Sequence, residues 1–177
     1  TRLRTVTGVQ TCALPIYIAK SKVKFNPHLP LIIGLDPGLG GSALVFGQLD
    51  LRGRLLVLDE LVQEGMGAER IIKERLKPLL RNKYPDAQVI IAPDPAAKNR
   101  AQTDEKAVID AFARHWPIKA ESNNRLPLRL DAIEYYTSSL VEGEPCLLVD
   151  PSCRHLVRAL NGGWRYGVDI KKDMIKG

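Results

Sequence analysis

The sequence predicts an α/β domain: a mixed sheet with helices packed on its faces. Three observations predict it. Apolar runs and helical stretches follow in the order β-β-β-α-β-α-β-α. The first three runs are consecutive and read as an antiparallel meander, after which helix and strand alternate, so the sheet is mixed rather than all-parallel and doubly wound. Finally, 177 residues with 45% hydrophobic and 26% charged side chains are ordinary proportions for one globular domain. These proportions exclude a chain that is mainly disordered, collagen-like or of low complexity.

Each element has its own warrant. Leu31–Asp36 (LIIGLD) is a short apolar run between Pro30 and Pro37, as a buried strand should be. Pro37, Gly38, Gly40 and Gly41 make a loop. Residues 42–49 and 54–61 are strands joined by a hairpin connection over 50–53. From 67 to 83 the apolar residues Ile71, Ile72, Leu76, Leu79 and Leu80 have helical spacing, with Pro78 expected to kink or shorten the helix. Residues 87–92 (AQVIIA) form a fourth strand, broken by Pro93-Asp94-Pro95. Thr103 caps a helix over 104–115, with Val108, Ile109 and Phe112 on its apolar face. Residues 118–120 are a short fifth strand. A helix over 129–141 points Ile133, Tyr136 and Leu140 inward. Residues 146–149 are a short apolar segment, and a last helix over 152–160 is stopped by Asn161-Gly162-Gly163.

Composition narrows function only a little. The charge balance, 26 Lys+Arg against 20 Asp+Glu for a net +6, permits a polyanionic partner without requiring one. Aromatics at 6% are too sparse for a base-stacking platform. Cys12, Cys146 and Cys153 are too few and too spread for a disulfide framework, and no Cys/His cluster offers a zinc site. Burial in packing is the expectation for Cys146 and Cys153. No uncharged apolar run reaches the roughly 18 residues of a membrane span.

The ends look foreign. Val6 to Ile16 (VTGVQTCALPI) resembles the translation of a common sequencing-library adapter. A signal peptide fits less well, because Thr, Gly, Gln and Pro interrupt its apolar stretch. Residues 1–16 are therefore expected to be adapter-derived, and 17–177 to be the domain, cut short at both ends. Setting Arg2 and Arg4 aside lowers the net charge to +4.

Two carboxylates stand out. Asp36 ends the first strand and Asp94 follows the fourth. Each alone reads equally as a turn residue, since Asp-Pro is frequent in turns. If the two strands are parallel neighbours, however, the carboxylates face each other at the edge where open α/β sheets bind ligands. They would repel there unless a metal bridged them. Lys98, Arg100, Arg125 and Arg129 flank that edge as candidate phosphate-binding residues; solvated helix termini are the alternative. Asp59 and Glu60 are expected at a solvated strand end, with a reach to the metal edge as the other possibility. His115 and His155 read as surface or packing residues. The Gly-rich loop at 38–41 fits neither the GxxxxGK[ST] phosphate loop nor GxGxxG, which leaves a Mg²⁺-seated nucleotide as a second reading.

The ordered motifs Gly34-Leu35-Asp36-Pro37-Gly38, Leu56-Val57-Leu58-Asp59-Glu60 and Asp94-Pro95-Ala96 resemble the nuclease domain of phage terminase large subunits. Asn99-Arg100-Ala101-Gln102-Thr103-Asp104, the segment 124–133 with Arg129, Leu148-Val149-Asp150-Pro151-Ser152-Cys153 and Gly162 to Tyr166 are similar to further segments of that family. The likeness runs from about Tyr17 to Tyr166. It implies an RNase H-like fold and an endonuclease that cuts concatemeric viral double-stranded DNA during genome packaging. It also implies two Mg²⁺ or Mn²⁺ ions about 3.5–4 Å apart, with Asp36 bridging both and Asp94 holding one, as catalytic and metal-ligating residues. The implied partners of the full protein are an ATPase motor domain, the portal and the small terminase subunit, in the host bacterial cytoplasm and away from membranes. No Walker A motif occurs here. The family's third acidic residue, on a late helix, has no counterpart before Gly177 and is expected beyond it, so the chain should fold but cut weakly or not at all. Alternatives are a RuvC-like junction resolvase, a sugar-kinase or actin-like nucleotide-binding module, and a non-catalytic DNA-binding domain.

Overall fold

The computed structural model describes residues 18–37, 41–94, 103–119 and 125–163. Seven strands and their helices follow in chain order: β1 (Leu31–Asp36), β2 (Gly41–Leu49), β3 (Leu55–Glu64), α1 (Ala68–Ile71), a π-helical segment (Ile72–Leu76), α2 (Lys77–Lys83), β4 (Val89–Pro93), α3 (Thr103–Ala113), α4 (Leu126–Ser138), the hairpin β5 (Leu140–Val141) and β6 (Glu144–Pro145), β7 (Leu147–Val149) and α5 (Arg154–Arg158), which runs on into a π-helical turn over Ala159–Gly163. The main sheet has the order β4-β1-β2-β3-β7. β1, β2 and β3 are an antiparallel meander, while β4 and β7 pair parallel with β1 and β3. This is the mixed sheet that the sequence predicts, and the fold is RNase H-like. The expected fifth strand is a single parallel bridge, Ile118 to Ile91, on the outer edge of β4.

Alternation along the strands sorts side chains onto two faces. On one face Leu31, Ile33, Leu35, Leu44, Phe46 and Ile91 are buried under Ile71, Ile72, Leu76 and Phe112 from the helices that follow β3 and β4. Each such side chain contributes roughly 1.5–3 kcal/mol by leaving water. On the other face a smaller cluster of Val57, Leu147, Val149 and Cys153 packs with Tyr136 of α4 and Leu156 of α5. At the β4–β1 end this second face is less covered: Ile32, Gly34, Ile90 and Ala92 are only half-buried.

The hairpin over 50–53 forms as expected. The Asp50 carboxylate accepts from the Arg52 and Arg54 amides, both at 2.9 Å, and from Arg54 Nε at 2.7 Å. Gly53 takes φ +82°, a left-handed conformation that a residue with a Cβ resists. Three expectations need correction. Pro78 does not shorten its helix, which continues to Lys83. The turn ahead of it widens instead, with the Lys77 amide donating to Ile72 O. That π segment makes room where the proline ring would crowd the preceding turn. The helix expected over 129–141 runs from Leu126 to Ser138; Pro127 suits its first turn, and the Thr137 and Ser138 hydroxyls turn back to Ile133 O and Glu134 O at its end. Ile133 and Leu140, expected inward, are 56% and 60% exposed, because Leu140 has left the helix for β5 and only Tyr136 reaches the small cluster. The last helix is not stopped at Asn161; its π-helical turn carries through Gly163.

Candidate metal and nucleic-acid site

The site begins with strand register. β1 and β4 are parallel, with Leu35 opposite Pro93, and the Asp94 amide donates to Leu35 O at 2.8 Å. The next residues on the two strands are Asp36 and Asp94. Leu31, Ile33 and Leu35 are buried on the core face, as are Val89, Ile91 and Pro93. By alternation both carboxylates fall on the opposite, partly open face. Neighbouring strands lie about 4.8 Å apart, so the sheet brings the two residues side by side. Asp36 is exposed and Asp94 half-buried, and each stands at the carboxyl end of its strand.

The floor beside Asp36 is a shallow groove of about 470 Å³ lined by Asp36, Gly41, Ala43, Val62, Gln63 and Glu64, among others. Its width depends on Gly41. A Cβ there would sit 2.1 Å from Gln63 O and 2.7 Å from Glu64 Cα, so only glycine lets β2 and β3 close at this edge.

Arg129 approaches from α4. Its guanidinium lies 3.4 Å from Asp94 Oδ2. Arg125, at the N-cap of α4, lies one turn away, and its carbonyl accepts from the Arg129 amide. Both arginines are exposed. Lys98 and Arg100 fall outside the described residues, as do the Gly-rich loop over 38–40 and residues 164–177. The donor set that is present, two strand-end carboxylates with an arginine drawn to one of them, suits a hard divalent cation whose remaining ligands are water and phosphate. Among the described residues no group of three or more His, Cys, Asp or Glu side chains converges.

Asp59 and Glu60 do not reach this edge, nor are they a solvated strand end, because β3 continues to Glu64. A bulge opposite Phe46 and Gly47 leaves Leu58 unpaired, and Asp59 then pairs with Phe46 and Glu60 with Val45. Asp59 therefore points to the core face, where it is 7% exposed and accepts from Lys83 Nζ at 2.5 Å and the Tyr84 hydroxyl at 3.5 Å. Burial and the Asp59 charge push the Tyr84 hydroxyl well up. Glu60 points to the other face and accepts from the His155 and Leu156 amides at the start of α5, and lies 2.9 Å from the His155 ring. Burial works to raise the Glu60 carboxyl, but these hydrogen bonds outweigh it and hold it below the usual range. Cys146 and Cys153 are both buried free thiols; burial, then the charges of Glu60, Asp59 and Asp150, pushes the Cys153 thiol up to about 12.

One polar anchor went unnoticed in the sequence. Asp150, 1% exposed, accepts from the Val23 amide at 2.7 Å, the Ser152 amide at 2.9 Å and the Ser152 hydroxyl at 2.6 Å. The Asp-Pro-Ser turn motif was the signal that could have found it.

Fold and site together define an RNase H-like domain carrying paired strand-end carboxylates. Comparison with solved structures agrees on the fold. The nuclease domain of the P22 large terminase superposes with a TM-score of 0.59 at 10% identity, covering 85% of this chain and 76% of that one. The human cytomegalovirus terminase nuclease domain gives 0.44 at 14% identity, with 75% and 73% covered. RuvC of T. thermophilus in complex with a Holliday junction substrate gives 0.44 at 19% identity, with 74% and 89% covered. The fold likeness rests on the first of these. No protein-family model matches the sequence, nor does any curated protein.

Proposed function

We propose that this chain is the nuclease domain of a terminase large subunit, a metal-dependent endonuclease acting on double-stranded viral DNA during genome packaging. The observation that carries the reading is the register of β1 and β4, which sets Asp36 and Asp94 side by side on the open face, in a fold shared with the P22 large terminase nuclease domain. Asp36 and Asp94 are the residues that would hold Mg²⁺ or Mn²⁺. Bound there, the ions supply a hydroxide-generating and charge-neutralising role in in-line hydrolysis of a phosphodiester.

The chain's own residues do the rest. The two carboxylates repel a DNA backbone, so the strand can approach only where cations offset them. Arg125 and Arg129 hold phosphate oxygens with planar, bidentate geometry. Lys98 and Arg100 belong to the same binding edge in this reading, and a third carboxylate beyond Gly177 completes the ion cage in the whole protein. An ATPase motor, the portal and a small terminase subunit would be the packaging partners, in the cytoplasm of a bacterial host.

Because that third ligand is missing here, the decisive test reads metal uptake rather than turnover. Mn²⁺ titration followed by electron paramagnetic resonance should show binding to the chain, and Asp36→Asn and Asp94→Asn should each weaken it at least about tenfold with an unchanged circular dichroism spectrum. Uptake unaffected by both substitutions would sink the reading. Plasmid nicking should be weak and Mn²⁺-dependent, and preference for four-way junctions over linear duplex would move the assignment to a resolvase.

A further inference from the structure

The Arg129–Asp94 contact has a geometry that suits exchange. At 3.4 Å, with the arginine side chain 46% and the aspartate 27% exposed, it is longer and wetter than the Arg54–Asp50 pair at 2.7 Å, whose side chains are 21% and 14% exposed. Strong charge-assisted hydrogen bonds lie at about 2.7–2.9 Å, and an exposed pair of this kind contributes little to stability. Arg129 also lies on the partly open face of the sheet, on an exposed stretch of α4 with Arg125 one turn away. A guanidinium placed this way has two anions within its range: the carboxylate it now touches, and any phosphate brought to the β1–β4 edge.

We propose that Arg129 is a regulatory latch, which covers Asp94 until a DNA phosphate draws it away and so couples duplex binding to metal uptake. This inference rests on the reading of Asp36 and Asp94 as metal ligands. In the free protein the guanidinium competes with the divalent cation for Asp94 Oδ2. When a phosphate takes the guanidinium, the carboxylate is released to the cation. Coupling between two ligands is reciprocal, so metal must strengthen duplex binding by the same factor by which duplex strengthens metal binding. The latch would keep the site metal-poor away from DNA.

The test uses the whole chain, Mn²⁺ alone and a blunt 20-base-pair duplex as probes. Arg129→Gln should bind Mn²⁺ about two- to fivefold more tightly than the parent without DNA. The gain in Mn²⁺ affinity caused by duplex should shrink by a similar factor in the variant. In ¹⁵N-arginine spectra, the Arg129 Nε signal, assigned by its loss in Arg129→Lys, should shift on Mg²⁺ saturation and again on adding duplex. Equal Mn²⁺ affinity in parent and Arg129→Gln, or an Arg129 signal that saturating Mg²⁺ leaves in place, would overturn the latch while leaving the metal reading intact. If neither protein takes up Mn²⁺, the metal reading falls and the latch with it.

Discussion

Asp150 shows how one buried carboxylate can organise a neighbourhood without chemistry. Its three donors come from Val23 and Ser152, so it ties the segment before β1 to the turn after β7. Burial alone would raise its carboxyl, but the hydrogen bonds from Ser152 and Val23 overcome that and hold it below the usual range. The sign follows. A depressed carboxyl contributes stability above its unfolded value, near pH 4, and loses that contribution as pH falls through the lowered folded value. Asp150→Asn should cost about 1–3 kcal/mol at pH 7, and the difference from the parent should narrow on acidification below about pH 4. Urea unfolding at pH 7 and pH 3 checks both. An acidic residue in a turn motif looked like any other turn in the sequence. What distinguishes it is a partner 127 residues away, which no local pattern contains.

At the scale of elements, the strands were the most legible part. β1 and β4 are continuous apolar runs bounded by prolines, and their parallel pairing, needed to join Asp36 and Asp94, follows from the helical stretch between the meander and β4. α4 was the least legible. Its apolar residues surround the helix rather than line one stripe, so spacing alone could not say that Ile133 faces water. The bulge at Leu58 was invisible too, and it decides that Asp59 meets Lys83 while Glu60 meets α5. The β2–β3 edge gives the prediction for this scale. Gly41→Ala places a methyl against Gln63 O, and neighbouring backbone has to move to admit it. The variant should lose about 1–3 kcal/mol in thermal or urea unfolding. It should also bind Mn²⁺ more weakly, because Gly41 shares the groove with Asp36.

Across the whole molecule, stability is distributed unevenly between the two sheet faces. The larger cluster joins β1, β2 and β4 to the helices that follow β3 and β4, while the smaller one rests on β3, β7 and α5. Leu76, fully buried, should cost about 2–5 kcal/mol when cut to Ala. Native-state hydrogen exchange should show β7 amides opening at lower free energy than those of β1, since small, peripheral clusters open first. Equal protection of the two strands would contradict the division. The sheet's outer strands have one more property. Ile118 bridges to Ile91 on the free side of β4, where the Ile91 amide donates to Pro117 O and the Lys119 amide to Ile91 O; Ile18 bridges to Val149 on the free side of β7, where the Ala19 amide donates to Val149 O. Backbone groups that would otherwise offer a template for another chain are thus partly taken at both margins. Two short crossings of the chain therefore act as guards against self-association, which lets a sheet carry an open, reactive face without recruiting copies of itself along its rims.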